Sequence, residues 1–420
     1  MTETRIDAEW LRDPILQSVL AILNSDGEEA RIVGGTVRNA LLGSPVSDID
    51  IATTCRPEET IRRVEAAGFK AVPTGFEHGT ITVVAEGEVF EVTTLRRDIA
   101  TDGRHATVSF GRDWQADAAR RDFTINALYA GPDGRVFDPV GGLDDISTRT
   151  LRFIGDAATR IEEDYLRILR FFRFFAWYGT GRPDAEGIRA SAKLKAGLVN
   201  LSGERVWSEL KKLLGAADPS RALLWMRQAG VLTTVLPEGE RWGIDNLHPL
   251  IEAEAAFGWT PDPMLRLLSI LPPDAERLNG IAKRLKLSNE ERDRLLAYAH
   301  AEAPMPDEGD GAFRARLYFG DRTAIVDRLK LALALARQKE DLNRTAALRN
   351  QLAIAEAFAP PPFPVTGRDL IEKGYEPGPE LGRAIERLKR AWAEGGFVAS
   401  REKLLERAER LATEGAAPTN

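Results

Sequence analysis

The spacing of apolar residues divides the chain into an early part of mixed structure and a long helical remainder. Residues 1–30 have helical spacing, and the apolar run at Ile32 and Val33 then predicts a short strand. From residue 47 to about 140, the segments SDIDIATT, GTITVVAEGEVFEVTTL and GRVFDPV alternate or carry β-branched runs, which is typical of strands. A helical stretch at 62–67 interrupts these strands.

After about residue 155 the strand signals fade and helical spacing takes over. Helices are predicted over residues 160–178, 206–214, 221–229 and 291–300. Breaks rich in proline or glycine fall at 300–312 and 358–367. We therefore expect an α/β head, built from a small mixed sheet with helices, followed by an all-α C-terminal portion.

Composition narrows the functional classes. The chain has 420 residues, of which 43% are hydrophobic and 29% charged, and this length suits about two to four structural units. The net charge is −7, so any site for a polyanion must be a local patch. The lone Cys55 fits a reducing compartment. The start MTETRIDAEW lacks an apolar leader, and no apolar run approaches the ~18 residues of a membrane span. These features predict a soluble cytoplasmic protein with no membrane partner.

Two carboxylates stand out in the strand-like segment SDIDIATT. Asp48 and Asp50 are two residues apart, so a strand would point both side chains to one face. Buried carboxylates need a partner or a metal, and hard carboxylate oxygens suit Mg²⁺. The pair is therefore a candidate catalytic and metal-binding site for two-metal nucleotidyl transfer. Taken alone, the pattern also fits a solvated edge strand or a turn.

Gly34 and Gly35 lie between the predicted first strand and the helix-like segment TVRNALL. Glycines in this position let backbone N–H groups approach a phosphate, and a helix N-terminus adds partial positive charge. Arg38 follows one turn later, where it could reach the same phosphates. A glycine pair alone is more often a tight turn. Its combination with the two aspartates favours a nucleotide-binding site.

A second candidate segment is DAARRDFTINALYA. Arg120, Arg121 and Asp122 precede FTINALYA, which we expect to be helical. A helix N-terminus with an acidic cap explains this pattern equally well. The functional interpretation places Arg121 on a triphosphate.

The segment RIEEDYLRILRFFRFFAWYG carries a stripe of charge. Asp164, Arg167, Arg170 and Arg173 step by three along a predicted helix whose other positions are mostly apolar. A salt-bridged structural helix is one interpretation. In the other, Asp164 accepts a hydrogen bond from the exocyclic amino group of cytosine or adenine, and Arg167 donates to the adjoining ring nitrogen. Such a pair admits C and A and opposes U and G. Arg170 and Arg173 remain available for phosphates.

Taken in order, these segments resemble the motif series of class II CCA-adding enzymes, the tRNA nucleotidyltransferases of the polymerase-β-like superfamily. The similarity is strong over residues 31–215 and weaker elsewhere, although 365–382 also resembles a stretch found late in such chains. The segments that carry it are GGTVRN, SDIDIATT, RRDFTINAL, DPVGGLDDI, EEDYLRILR and GERVWSEL.

The resemblance implies an organisation and an activity. A nucleotidyltransferase head would occupy residues 1–155, a neck that recognises the base 156–220, a body 221–305, and a tail that binds tRNA 306–420. The implied reaction is template-independent addition of C, C and A from CTP and ATP to the tRNA 3′ end, with Mg²⁺ as cofactor and pyrophosphate as product. No protein partner is inferred.

Residue roles follow from the same resemblance. Asp48 and Asp50 would bind Mg²⁺, and Asp164 with Arg167 would act as the protein template for the base. The residues implied to contact the nucleotide are Gly35, Arg38, Arg121, Arg170 and Arg173.

Several alternatives stay open. A bacterial poly(A) polymerase shares the head motifs, and an enzyme that adds only CC or only A fits the same residues. An RNA-binding module with a degenerate head is a further alternative, although intact Asp48, Asp50 and Arg121 argue against it. The first motif commonly ends in Asp in the family, whereas this chain has Asn39. Glu91 could be a third carboxylate near the metal site or an exposed strand residue.

Polar residues and glycines at 96–111 predict a mobile loop. Family members use a loop at this place in the switch from C to A addition. Arg104 and His105 could take part, or the loop could simply be solvated.

Overall fold

The computed structural model describes residues 3–102, 105–239 and 244–415. The chain folds into two compact units, Met1–Pro237 and Glu238–Asn420. The first unit contains a mixed sheet with helices, and the described part of the second unit is helical throughout. The predicted fold class, an α/β head followed by an all-α portion, is confirmed.

The first unit is organised around its sheet. Its strands are β1 (Ala30–Val33), β2 (Ile49–Thr53), β3 (Lys70–Gly75), β4 (Thr80–Ala85), β5 (Glu88–Thr94), β6 (Arg96–Asp102), β7 (His105–Phe110), β8 (Tyr129–Ala130) and β9 (Val136–Phe137). Seven strands form one sheet in the order β3-β4-β5-β2-β1-β8-β9, and β6 pairs with β7 separately. Strands β2 and β5 are parallel, whereas β1 is antiparallel to β2 and β8.

Alternation explains how the sheet acquires a core face. In β4, Ile81, Val83 and Ala85 are buried while the residues between them are partly exposed, as the period of two requires. A cluster that includes Val33, Ala52 and Tyr129 packs the centre of the sheet.

The helices of the first unit surround this sheet and continue beyond it. They are α1 (Pro14–Leu23), α2 (Gly35–Leu42), α3 (Pro57–Ala66), α4 (Trp114–Ala119), α5 (Gly142–Thr148), α6 (Ala157–Glu163), α7 (Leu166–Tyr178), α8 (Ala185–Leu194), α9 (Gly203–Leu214), α10 (Ser220–Gln228) and α11 (Val231–Val235).

The single helix predicted over 160–178 is wrong at Asp164. Helix α6 ends at Glu163, Asp164 has an extended backbone (φ −156°, ψ 107°), and α7 begins at Leu166. The break is stabilised locally, because the Asp164 Oδ1 accepts the backbone N–H of Leu166 at 3.1 Å and so caps the first turn of α7. Only Arg167, Arg170 and Arg173 therefore lie on one helix.

The helix predicted for FTINALYA is also wrong. Thr124–Asn126 forms a short 3-10 turn, and Tyr129–Ala130 is strand β8. Tyr129 and Ala130 pair with Val33 and Ile32 of β1. This pairing with distant residues overrides the local helical spacing.

Arg96–Asp102 and His105–Phe110 form a two-stranded antiparallel ribbon, β6 and β7, within the segment where a mobile loop is predicted. Arg104 lies outside the described residues.

The second unit packs its helices around two main apolar clusters. One cluster includes Phe313, Leu329, Leu348 and Phe358, and the other includes Leu370, Leu388, Trp392 and Leu404. The helices are α12 (Leu247–Phe257), α13 (Pro263–Ser269), α14 (Ala275–Arg284), α15 (Asn289–His300), α16 (Asp310–Phe319), α17 (Arg322–Gln338), α18 (Leu342–Ala357), α19 (Gly367–Glu372), α20 (Pro379–Glu394) and α21 (Arg401–Gly415).

The border between the two compact units falls at 237–238. The finer predicted division into head, neck, body and tail stays a prediction. Across the described ranges, no helix combines the length and apolar character needed to cross a membrane.

Candidate active site

A glycine turn connects β1 to α2. Gly34 has φ 69° and ψ −120°, a conformation that a residue with a side chain adopts only with strain. Its N–H donates to the Leu128 carbonyl at 3.1 Å. A Cβ placed on Gly34 would lie 3.6 Å from the Arg121 Nη1. The turn thus brings Arg121 close to the start of α2. The first N–H groups of that helix have no partner within it.

The two aspartates lie at the start of the neighbouring strand. Asp50 is half-buried within β2, and Asp48 is exposed one residue before the strand begins. The Thr36 hydroxyl, in the first turn of α2, donates to the Asp48 carbonyl at 2.8 Å. The helix that follows the glycine turn therefore also fixes the backbone of the carboxylate pair.

Glu91 is the in-register partner of Asp50 across the parallel strands β2 and β5, so both side chains leave the same face of the sheet. Burial, followed by the negative charge of Glu91, raises the pKa of Asp50 to about 6, while Arg121 acts in the opposite direction and Asp48 adds to the rise. Like charges gathered in this way favour a cation at the site.

The donor set fits a hard divalent cation. Asp48 and Asp50 supply carboxylate oxygens close together, and Mg²⁺ is typically held by one or two carboxylates together with substrate phosphates and water. In the part of the chain that the structure describes, no group of three or more His, Cys, Asp or Glu side chains is arranged to hold a metal ion. Glu91 is an electrostatic neighbour of the pair.

Arg121 is held against the glycine turn by two partners. Its Nη2 donates to the Asp117 carboxylate at 3.0 Å and its Nε lies 3.3 Å from the Tyr129 hydroxyl, which itself donates to Asp117 at 2.7 Å. Burial opposes the charge of this arginine, but Asp117 and Tyr129 more than offset it and raise the pKa of Arg121. The Nη1 remains directed toward Gly34. Arg121 is thus a fixed cation beside the turn.

Arg38 is more enclosed than its predicted role requires. It is 6% exposed. It donates to Asn126 from Nη1, to Tyr178 from Nη2 at 2.8 Å, and to Asn39 from Nη2 and Nε at 2.9 and 3.2 Å. These bonds use four of the five N–H groups of a guanidinium. Direct contact with a phosphate would use the remaining N–H group or exchange one of these partners.

Asn39 bridges two parts of the site. Its Oδ1 accepts from Arg38, and its Nδ2 donates to the Pro45 carbonyl at 3.0 Å. An aspartate at this position could accept from Arg38 but could not donate to Pro45. The amide therefore connects the buried arginine to the loop that precedes Asp48.

Asp164 and Arg167, the predicted base-reading pair, each have a separate partner. The second carboxylate oxygen of Asp164 accepts from Arg205 of α9 at 2.7 Å. Arg167 pairs with Glu163 and also donates to the Arg160 carbonyl at 2.8 Å. The side chains are about one-fifth exposed for Asp164 and 14% exposed for Arg167, so both retain a surface that a ligand can approach.

Arg170 and Arg173 project from α7 into a buried network. Arg170 donates to Asp122 from Nε at 2.8 Å and from Nη2, and its Nη1 lies 3.8 Å from Glu209. The Arg173 Nε lies 2.8 Å from the Glu209 carboxylate as an ion pair without hydrogen-bond alignment. Because Asp122 also accepts from Asn126, which accepts from Arg38, the network runs continuously from α2 to α9.

The structure thus brings the predicted residues together in two clusters. One cluster lies at the glycine turn and contains Gly34, Gly35, Asp48, Asp50 and Arg121. The other contains the α7 residues, which the network of hydrogen bonds and ion pairs connects to α2. Sequence reasoning missed the partners that hold these groups, although Asp117 and Glu163 each lie four residues before the arginine they bind, which is a readable signal. The missed partners are Asp117, Asn126, Tyr129, Glu163, Tyr178, Arg205 and Glu209.

Three family descriptions match successive parts of the chain. "Poly A polymerase head domain" matches residues 30–152, which include the glycine turn and the aspartates. "Probable RNA and SrmB- binding site of polymerase A" matches residues 184–242, and "tRNA nucleotidyltransferase domain 2 putative" matches residues 265–408.

Similar proteins match over nearly the whole chain. The CCA tRNA nucleotidyltransferase 1, mitochondrial, of Mus musculus is 35% identical over 394 residues, covering 93% of this chain and 88% of the relative. The CCA-adding enzyme of Streptococcus sanguinis is 33% identical over 396 residues, covering 91% of this chain and 92% of the relative.

A solved structure agrees with these relatives. The Bacillus stearothermophilus CCA-adding enzyme in complex with CTP aligns with a TM-score of 0.74 at 27% identity, covering 96% of this chain and 99% of that chain. Both relatives are more than 30% identical to this chain over most of their length, and the solved structure has the same fold. Together with the aspartate pair beside its glycine turn, these matches show that this chain belongs to the CCA-adding enzyme family of tRNA nucleotidyltransferases.

Proposed function

We propose that this protein adds C, C and A, without a nucleic acid template, to the 3′ end of tRNA, using CTP and ATP and releasing pyrophosphate. The observation that carries the proposal is the position of Asp48 and Asp50 beside the Gly34–Gly35 turn and Arg121. An acidic pair next to a glycine turn and a fixed arginine supports the proposal that a triphosphate binds here. The proposal also rests on family membership.

The reaction is an in-line displacement at phosphorus. The tRNA 3′-hydroxyl oxygen forms a bond to the α-phosphorus of the incoming nucleotide as the bond from that phosphorus to the pyrophosphate oxygen breaks. No side chain has to act as a covalent nucleophile, so the protein contributes positioning and electrostatic stabilisation. Arg121, fixed by Asp117 and Tyr129, would offset the charge of the triphosphate.

Asp48 and Asp50 would hold Mg²⁺. Family members generally use a divalent cation. When bound, such ions lower the cost of ionising the attacking hydroxyl and neutralise charge on the departing pyrophosphate. A bound cation would also offset the charges of Glu91 and Asp48, which add to the effect of burial in raising the pKa of Asp50.

Base selection is assigned to Asp164 and Arg167 at the α6–α7 junction. Asp164 would accept from the exocyclic amino group of cytosine or adenine, and Arg167 would donate to the adjoining ring nitrogen. Arg170 and Arg173 lie on α7 together with Arg167. Gly34, Gly35 and Arg38 complete the proposed nucleotide site. Arg38 would act mainly as a buried support for the turn.

The proposed organisation assigns residues 1–155 to a catalytic head, 156–220 to a neck, 221–305 to a body and 306–420 to a tail that binds tRNA. A cytoplasmic location stays a prediction.

An alternative activity within the same fold is poly(A) addition, because the matched head description is shared with poly(A) polymerases. A competition experiment separates the two activities. The protein is given CTP and ATP together with an equal mixture of a tRNA lacking its 3′ end and an unrelated RNA of the same length. The proposal predicts extension of the tRNA alone, whereas equal extension of both RNAs would favour poly(A) addition.

A further inference from the structure

Two arginines lie at the glycine turn, and they differ in their counter-charges. The Arg121 Nη1 lies 3.6 Å from the position that a Cβ on Gly34 would occupy, and the Arg38 Nη2 lies 3.5 Å from the corresponding position on Gly35. Arg121 forms an ion pair with the Asp117 carboxylate at 3.0 Å. Arg38 forms no ion pair with a carboxylate among the side chains that the structure describes.

All hydrogen-bond partners of Arg38 are uncharged. Its guanidinium donates to the amide oxygens of Asn39 and Asn126 and to the hydroxyl of Tyr178. The guanidinium carbon also lies 4.1 Å from the centre of the Tyr178 ring, and such a contact attracts a cation without cancelling its charge. A buried charge without a counter-ion is costly. Arg38 therefore favours the approach of an anion to the turn.

The pKa values of the two arginines reflect this difference. Burial lowers the pKa of Arg38, and its neighbours do not offset that effect. Burial also acts against the charge of Arg121, but there Asp117 and Tyr129 more than offset it, and the pKa rises. The folded protein thus stabilises the charge of Arg121 more fully than that of Arg38.

Residue 39 decides whether Arg38 has a counter-charge. The Nε and Nη2 groups of Arg38 both donate to the Asn39 Oδ1, at 3.2 and 2.9 Å. An aspartate in the same conformation would place a carboxylate oxygen there and would form a charge-assisted pair with the guanidinium. The asparagine of this chain provides the acceptor without the negative charge.

We propose that Asn39 sets the affinity of the site for the triphosphate: because it leaves Arg38 without a counter-charge, the glycine turn attracts the phosphates of the incoming nucleotide more strongly. This inference rests on the proposed function. Charge acts over a distance, so Arg38 stabilises the phosphates while it keeps its hydrogen-bond partners. Asn39 acts through Arg38 and is therefore a positioning residue. Since the effect concerns phosphate charge and not the base, it applies equally to CTP and ATP.

The test compares Asn39→Asp with Asn39→Ala in the full chain. Equilibrium dialysis measures the Kd for CTP, ATP and CMP with Mg²⁺ and without tRNA. Both substitutions remove the bond from the Asn39 Nδ2 to the Pro45 carbonyl, but only Asn39→Asp adds a charge. Asn289→Asp adds the same charge at an exposed asparagine in the first turn of α15, and it serves as the matched control.

We expect the Kd for CTP and for ATP to be about tenfold higher in Asn39→Asp than in Asn39→Ala, since two charges several ångströms apart near a protein surface interact by an amount of this order. The change for CMP should be smaller, because CMP carries less phosphate charge. The difference should shrink at high KCl concentration, where salt screens the interaction. Asn289→Asp should keep the wild-type affinities.

An equal Kd for CTP in Asn39→Asp and Asn39→Ala would overturn the inference, and so would a loss as large for CMP as for CTP. Thermal unfolding without nucleotide gives a second readout. The added carboxylate offsets the buried charge of Arg38, so Asn39→Asp should unfold at a temperature no lower than Asn39→Ala. An unfolded Asn39→Asp would therefore contradict the charge account. A wild-type protein that binds neither CTP nor ATP would contradict the proposed function itself, so the two failures are distinguishable.

Discussion

Arg170 of α7 donates two hydrogen bonds to the carboxylate of Asp122, from Nε at 2.8 Å and from Nη2. The pair connects the segment that follows Arg121 to the helix that carries Arg167, one of the two predicted base-reading residues. Burial opposes the charge of Asp122, but Arg170 and the bonds from Asn126 and Phe123 more than offset it, so the pKa of Asp122 lies below its ordinary value. The site therefore depends on an ionised carboxylate between two elements that are distant in sequence.

Replacing this carboxylate should destabilise the protein in a pH-dependent way. For Asp122→Asn, we expect the free energy of unfolding at pH 7 to fall by about 1–3 kcal/mol, because a partly buried arginine loses its counter-charge. A carboxyl group with a lowered pKa stabilises the folded state above its unfolded pKa, near 3.9, and that contribution disappears as the pH falls through the lower folded value. The difference between variant and wild type should therefore shrink below about pH 4.

Urea unfolding over a pH series measures this effect. Asp7→Asn, at an exposed aspartate that pairs with Arg12 on the surface, serves as the control and should change stability little at any pH. A destabilisation by Asp122→Asn that stays constant down to pH 3 would contradict the ion-pair account.

The two glycines of the turn should respond differently to alanine. Gly34→Ala places a side chain at φ 69° and should lower the free energy of unfolding by about 1–3 kcal/mol. Gly35→Ala introduces a Cβ only 3.5 Å from the Arg38 Nη2, which is ordinary contact, so the stability of the nucleotide-free protein should change little. Both variants should raise the KM for CTP if the turn carries the phosphates.

Thermal unfolding and steady-state kinetics on the same preparations check these expectations. Equal stability losses in the two variants would contradict the strain assigned to Gly34. A wild-type KM in both would remove the turn from the nucleotide site.

The aspartate pair should be essential for chemistry but not for RNA binding. In a protein with Asp48→Asn and Asp50→Asn together, we expect nucleotide addition to fall by about a thousandfold or more, since metal ions contribute several kcal/mol to such transition states. Binding of tRNA, measured by filter retention, should remain close to wild type. Turnover at the wild-type rate would contradict the metal assignment, and loss of tRNA binding would indicate that the substitution damages the fold.

Asp164 should control which bases enter the product. In Asp164→Ala, we expect incorporation of UTP and GTP to rise relative to CTP and ATP, because the acceptor that opposes a carbonyl is gone. Sequencing of products made with all four nucleotides measures the change. Undiminished rejection of UTP and GTP by an active variant would refute the base-reading role of this carboxylate.

Local patterns predicted the elements that hold the site and also the residues near the glycine turn. The strand at Ile32 and Val33, the glycines and the helix that follows are found where the spacing of polar and apolar residues places them. The positions of Asp48 and Asp50 follow from the same short-range pattern. The family resemblance, carried by motifs along residues 31–215, is supported by relatives that match nearly the whole chain.

Features that depend on distant residues could not be predicted. The helical spacing of FTINALYA gives no sign that Tyr129 pairs with Val33 on β1. The stripe from Asp164 to Arg173 has a regular spacing of three, but Asp164 lies in the break before α7, where its carboxylate accepts from Arg205, 41 residues later. Arg38 is predicted to reach the phosphates of a nucleotide, whereas Tyr178, 140 residues later, helps to bury it.

The most direct test of the central claim is to identify what the protein adds to a tRNA. The purified protein is incubated with Mg²⁺ and a tRNA that lacks its 3′ end, the four nucleotides are supplied singly and then together, and the products are sequenced. The account predicts that the complete mixture yields products that end after C, C and A, that CTP alone adds two residues, and that UTP and GTP are rejected. A long tract of A, formed equally on an unrelated RNA, would contradict CCA addition.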